Sequence, residues 1–282
     1  MPVAVRILAC AMLLPLPAAA LEIDTEHLFG FMIGSDIGEV GDREFETRGG
    51  ARLSRNGGHY RAFGQEFELE LTPAPNFRVE LGTSFAAHDI GGVAGLADVR
   101  QAGWQGASVD LRYRFLERER HGFGFTVAVE AEMSRLADGS GQHARGHGSG
   151  VTLAFDRELV PGYLVAALNL SYRPEWTRLA GAAAVDREAT VGIAGALMAQ
   201  WRPGVYLGAE ARYLRAYEGI GLQEFSGDAL FVGPTAYLQL TPGTRLTAAW
   251  STQLWGRDGG GGPLNLAGFE RHHARLIYGA NF

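Results

Sequence analysis

Ala274-Arg275-Leu276-Ile277-Tyr278-Gly279-Ala280-Asn281-Phe282 alternates small or apolar side chains with the rest and stops on an aromatic ring. A period of two is the mark of a strand with one apolar face. The same period recurs upstream. Glu66-Phe67-Glu68-Leu69-Glu70-Leu71 alternates strictly, and Phe77-Arg78-Val79-Glu80-Leu81 repeats the phase after a proline-containing turn. Val109 to Phe115 and Phe123 to Met133 do the same. Charge on one face and apolar bulk on the other, strand after strand, makes this an all-β chain.

The opposite end has a different grammar. Met1 to Ala20 carries one charge, Arg6, then an apolar run and three alanines, which predicts a secretory signal peptide over 1–20 and a single domain over 21–282. Cys10 is the only cysteine, so the processed chain could form neither a disulfide framework nor a thiolate metal site. No run of 18 apolar residues follows, which excludes a spanning helix. Every one of the 25 basic residues is arginine; without Arg6, 24 face 31 acids, a formal charge of −7. Forty glycines and a near-zero mean hydropathy fit alternating strands, whose two faces cancel.

Candidate strands lie near 27–38, 59–72, 77–90, 107–116, 123–136, 149–159, 163–178, 188–201, 205–218, 229–240, 245–256 and 271–282. Between them, tight turns such as Val160-Pro161-Gly162, Arg202-Pro203-Gly204 and Thr241-Pro242-Gly243 alternate with longer polar stretches at 39–58, 91–106, 137–148, 180–187, 219–228 and 257–270. Short turns at one end and long loops at the other predict an antiparallel, up-and-down transmembrane β-barrel of about twelve strands. Its location would be the cell outer membrane, with both termini periplasmic. Its expected partners are outer-membrane lipid and the outer-membrane assembly machinery, which would read Tyr278 and Phe282 as a terminal signal. A soluble β-sandwich would also alternate, but accounts for neither the aromatic ending nor the turn lengths. Pro234 falls inside a candidate strand and predicts a bulge there.

Phase then assigns faces. Phe67, Leu69, Leu111, Tyr113, Phe125, Leu168, Ile193 and Trp250 point to lipid, between aromatic bands near the short-turn edge (Phe77, Phe115, Phe123, Trp201) and the long-loop edge (Phe63, Phe85, Tyr172, Tyr213). The lumen receives Glu66, Glu68, Glu70, Glu80, Asp110, Glu130, Glu132, Asp156 and Glu210 against Arg78, Arg112, Arg114, Arg173 and Arg212. Nine acids against five arginines predict a passive path for cations or hydroxylated neutral solutes. The same residues could instead form a salt-bridged plug in a structural or surface-interaction barrel, since charges in a lumen must be paired or hydrated.

Catalysis is the remaining reading. His147 and Ser149 share a lipid-facing phase near the long-loop edge, where a base and nucleophile could attack phospholipid. Gly150 stands where an outer-membrane phospholipase carries asparagine, and Asn169 has the opposite phase, so no enzyme is expected. Adjacent His272 and His273 point to opposite faces and cannot easily share an ion. No metal, cofactor or nucleic acid is expected.

Taken together, the Glu66–Glu80 strand pair, Asp110-Leu-Arg-Tyr-Arg-Phe115, Gly208-Ala-Glu210-Ala-Arg212-Tyr213 and the Arg275–Phe282 ending resemble the outer-membrane barrels grouped with the phenol-degradation meta-pathway family. That resemblance covers the processed chain and implies a barrel moving small, often aromatic, molecules. It implies no substrate-contacting residue.

Overall fold

The computed structural model describes residues 23–258 and 262–282. The expected signal peptide at 1–20 lies outside the described residues. Twelve antiparallel strands among the described residues close into one barrel, each paired with its sequence neighbours and β1 with β12. Closure leaves no unpaired edge, which is what lets strands cross a bilayer.

The strands are β1 (Arg43–Leu53), β2 (His59–Ala74), β3 (Phe77–Gly91), β4 (Val99–Leu116), β5 (Gly124–Leu136), β6 (His143–Val160), β7 (Leu164–Leu179), β8 (Asp186–Arg202), β9 (Val205–Glu218), β10 (Glu224–Thr241), β11 (Thr244–Arg257) and β12 (His272–Asn281). Among the described residues one short helix, α1 (Arg118–His121), sits in the β4–β5 turn. Several strands run further toward the long-loop end than their sequence predicts. β4 starts at Val99 and β6 at His143, in glycine-rich polar stretches that read as loop. Backbone pairing beyond the apolar belt needs no apolar side chain, so the pattern fades before the ladder does.

The largest correction concerns the first strand. Residues 27–38 are not a strand: 23–42 form an irregular strap folded inside the barrel, and β1 instead occupies 43–53, within a stretch that reads as loop. Two features of the sequence conceal this. The strap is rich in apolar residues because Ile23, Leu28, Phe29 and Met32 bury themselves against Val165, Ala167, Ala196 and Met198 on the inner wall. β1 shows its period in charge (Glu44, Glu46, Arg48), while opposite those charges it offers Phe45 and then only Thr47, Gly49 and Ala51. The bulge expected at Pro234 is also displaced. Pro234 pairs in register with Ala209, and the irregularities in β10 lie at Phe225/Gly227, Leu230/Phe231 and Gln239/Thr241.

Outside, the barrel wears an apolar coat. Leu81, Val109, Leu111, Val129, Ile193 and Leu207 are exposed, as are Trp201 and Phe282 at the short-turn end and Phe63 and Phe85 further along. In water such a surface would aggregate; in lipid it is the ordinary outer face of a barrel. The strap enters at the short-turn end, where Gly41 N–H donates to Thr72 and Phe282 N–H to Arg43, so the C-terminus lies at the same end.

Candidate functional site: a strapped lumen

Three layers of polar chemistry fill the lumen from the short-turn end outward. In the first, the inner faces of β1–β4 carry like charges directly opposite one another: Glu44 faces Glu70, Glu46 faces Glu68, and Glu70 faces Glu80. Facing like charges would repel, and arginines from neighbouring positions relieve them. Arg48 reaches Glu46 at 2.7 Å, Glu68 at 2.9 Å and Glu66 at 3.1 Å. Arg78 meets Glu80 at 2.6 Å, Glu70 at 2.7 Å and the strap residue Glu26. Arg112 bridges Glu80 at 2.9 Å and Asp110 at 2.8 Å, and Arg245 on β11 holds Glu46 at 2.9 Å and also Glu44. Arg114 stands apart from this cluster, donating to Asn76 at 3.1 Å and lying 3.6 Å from Asp36 of the strap.

The strap is the second layer, and wall side chains hold it through its own backbone. Glu210 accepts the N–H groups of Gly30 at 2.6 Å and Phe31 at 2.9 Å, and Thr235 fixes the same carboxylate at 2.6 Å. Asn169 both accepts from Ile33 N–H and donates to Ile33 O, each at 2.9 Å. Asp156 accepts Ser35 N–H and Thr25 Oγ1–H, both at 2.7 Å, Ser35 Oγ–H at 2.8 Å, and the Arg118 guanidinium at 2.6 Å. Thr126 donates to Ser35 O at 2.5 Å, Thr247 to His27 O at 3.0 Å and Arg275 to Gly30 O at 3.1 Å. These partners belong to β5, β6, β7, β9, β11 and β12, so the strap spans the lumen from wall to wall. Buried backbone polar groups must be paired, and here the lumen wall pairs them. Arg212 lies over the Phe31 ring, 3.9 Å from its centroid, closing the strap from the far side.

Beyond the strap the wall is wet. Glu132 and Arg173 are exposed although they point inward, Glu130 is half-buried, and the three make no side-chain hydrogen bond or ion pair among the described residues. Two inturned loops narrow the mouth above them. Arg52 grips Asp138 of the 137–142 loop at 2.5 Å, and Tyr60 Oη–H donates to Gly139 O at 3.0 Å. Arg55 holds Glu270 of the β11–β12 loop at 2.7 Å. Burial alone would raise the Glu270 carboxyl, but Arg52, the His273 hydrogen bond and Arg55 outweigh it and hold the group well below its usual range.

All fourteen residues assigned to the lumen by phase point inward, in three environments: Glu66, Glu68, Glu70, Arg78, Glu80, Asp110, Arg112 and Arg114 at the short-turn end, Asp156, Glu210 and Arg212 against the strap, and Glu130, Glu132 and Arg173 in the wet region. Sequence reasoning misses Glu44, Glu46, Arg48 and Arg52 because β1 lies in a stretch that reads as loop. It misses Arg118 because a charged turn gives no sign that one side chain folds inward. His147 and Ser149 sit exposed on the outer face of β6, with no side-chain hydrogen bond to each other or to an orienting side chain among the described residues. Asn169 is committed to the strap. His272 packs by Trp250, while His273 stacks on Phe231 inside.

A twelve-stranded barrel with an apolar exterior, a charged interior and a polypeptide strap defines a class, the outer-membrane β-barrels. The chain belongs to the family of unknown function DUF6662, whose profile matches residues 21–282. A search of characterised proteins by sequence finds no match. Among solved structures, the chain is similar to the COG4313 outer membrane channel from Pseudomonas putida F1, at a TM-score of 0.59 and 14% identity, covering 93% of this chain and 100% of that one. It is also similar to the beta domain of the Bordetella autotransporter Brka (TM-score 0.53, 14% identity, 86% and 100% covered). A third similar structure is the translocator domain of autotransporter NalP from Neisseria meningitidis (TM-score 0.50, 15% identity, 88% and 90% covered). At these identities the likeness is one of fold. The phenol-degradation grouping is supported only to the level of barrel architecture.

Proposed function

We propose that the protein is an outer-membrane channel for small solutes, closed in this conformation by its own N-terminal strap, with both termini on the periplasmic side. The carrying observation is what blocks the lumen. The obstruction is a chain segment without helix or strand, hydrogen-bonded to wall side chains and continuous with the barrel only through residues 39–42. Moving it breaks no rung of the strand ladder. A rigid structural plug would more economically be built from wall side chains, as in narrow eight-stranded barrels.

Glu130, Glu132 and the half-buried Glu175 against Arg173 make the wet region acidic, which favours cations and neutral molecules over anions. The competing reading is a permanently closed structural barrel. It draws support from the burial of the strap's own Ile23, Leu28 and Phe29 against the inner wall. Liposome swelling separates the two. Proteoliposomes holding the strap-deleted barrel should swell in small neutral solutes faster than protein-free liposomes, and the intact protein should swell slowly. A folded, strap-deleted barrel that admits nothing would favour the structural reading.

A further inference from the structure

Within the first charged layer the ion pairs do not balance. Five carboxylates, those of Glu26, Glu44, Glu46, Glu68 and Glu70, share the guanidiniums of Arg48, Arg78 and Arg245. Two of these arginines also serve Glu66 and Glu80. Ligand-capable oxygens of Glu46, Glu68 and Glu70 lie within 4.8 Å of one another, and the same holds for Glu26, His27 and Glu70. Glu70 belongs to both groups. It is 3% exposed, and neither of its carboxylate oxygens accepts a hydrogen bond; Arg78 lies near one of them at 2.7 Å but off the hydrogen-bonding direction. Glu68 Oε2, 2.9 Å from Arg48, and His27 Nε2, 3.1 Å from Glu44, are likewise buried in ion-pair contacts that lie off the hydrogen-bonding direction. Repeated carboxylates in excess of cations, with the buried Glu70 Oε1 left without a partner among the described residues, are the chemistry of a hard cation site.

We propose that Glu46, Glu68 and Glu70 bind one divalent cation of the oxygen-seeking class, Ca²⁺ being the best fit, and that Glu26 and His27 of the strap close the site. Ca²⁺ accepts several carboxylate oxygens in irregular geometry, whereas Mg²⁺ demands a near-ideal octahedron. Arg48 and Arg245, which now hold the two Glu46 oxygens at 2.7 and 2.9 Å, would swing toward Glu66 and Glu44 as the cation takes over their partners. One end of the site is barrel wall and the other is strap, so the cation would pin the gate. This deepens the proposed function and rests on the strap being that gate.

Equilibrium dialysis with radioactive Ca²⁺ on the purified, chelator-washed barrel tests the site directly. One ion per chain is expected, with affinity weakened about tenfold or more in Glu70→Gln and Glu68→Gln and unchanged in Glu119→Gln, at an exposed turn. Heat-modified electrophoretic mobility certifies that each variant is folded, and either of the two lumen variants suffices. Absence of binding at millimolar Ca²⁺, or equal affinity in the folded variants, overturns the site. Binding of Zn²⁺ alone, abolished by His27→Ala, overturns the oxygen-seeking assignment. In the same preparation, chelation should speed proteolysis of the strap about tenfold. Stoichiometric, Glu70-dependent binding with unaltered strap cleavage would uphold the site and overturn the pinning. Neither readout depends on conductance, so a barrel that never conducts would refute the proposed function and leave this result standing.

Discussion

Gly30→Ala is the smallest change that should unseat the strap. A Cβ built at Gly30 would lie 2.2 Å from the Cβ of Ala249 on β11, against the ~3.5–4.0 Å that two carbons tolerate. The strap would have to retreat by ~1.5 Å at the point where Gly30 and Phe31 donate to Glu210. From 2.6 and 2.9 Å that retreat stretches the two bonds out of useful range. Bonds to a charged acceptor contribute ~1.5–3 kcal/mol each, so docking should weaken by ~3–6 kcal/mol, or about 10²–10⁴-fold in the docked-to-free ratio. Water that solvates the freed Glu210 pulls the outcome toward the lower figure. The assay is limited proteolysis at Leu28, Phe29 and Phe31, whose cleavage rate follows the free population when docking is fast. Adding Ala249→Gly removes the colliding carbon and should restore protection. If Gly30→Ala is cleaved no faster than the parent, or Ala249→Gly fails to rescue it, the strap does not sit against β11 as described.

Asp156→Ala removes the acceptor of four hydrogen bonds to Thr25, Ser35 and Arg118 and should free the strap from the opposite wall. Heat-modified mobility should show the barrel still folded, since no backbone rung is lost, while strap cleavage rises at least as much as in Gly30→Ala. At the mouth, Arg52→Ala should loosen the 137–142 loop only modestly. Asp138 is largely exposed, and such pairs contribute ~1 kcal/mol or less, so labelling of a Gly139→Cys variant should accelerate by about fivefold at most. The Glu270 carboxyl is held below its unfolded value, so the stability it lends the β11–β12 loop is fully present above that unfolded value and lost only as pH falls through the lower, folded one. Protease resistance of that loop should therefore be flat from pH 7 to ~5. A release between those limits would show that Arg52 and Arg55 do not hold Glu270.

The barrel is legible in the sequence because a lipid-facing strand must present apolar side chains every second residue, and β2, β3, β5 and β12 do so over most of their length, with Gln65 and Thr83 as polar exceptions. Lumen charges follow from the same phase, since a strand that puts Leu69 outward puts Glu68 and Glu70 inward. What period alone cannot separate is an apolar strand from an apolar strap. Leu28, Phe29 and Met32 are buried against protein, and a buried segment needs no alternation to be rich in apolar residues. Nor can it find β1, whose outward side chains beyond Phe45 shrink to Thr47, Gly49 and Ala51. The strap's partners are individually placed on the inner face, but nothing in Asp156, Asn169 or Glu210 says that what each one meets is backbone from residues 25–35. That requires the closed barrel, which brings β6, β7 and β9 around one space.

Single-channel current through planar bilayers, compared between the intact protein and a variant lacking residues 23–38, tests the central claim most directly. The intact protein should be silent or open only in brief, rare steps. The deleted variant, folded by heat-modified mobility, should carry sustained current that prefers cations over anions. Equal conductance in the two, or silence in both, would contradict the account of the strap as the gate of this barrel.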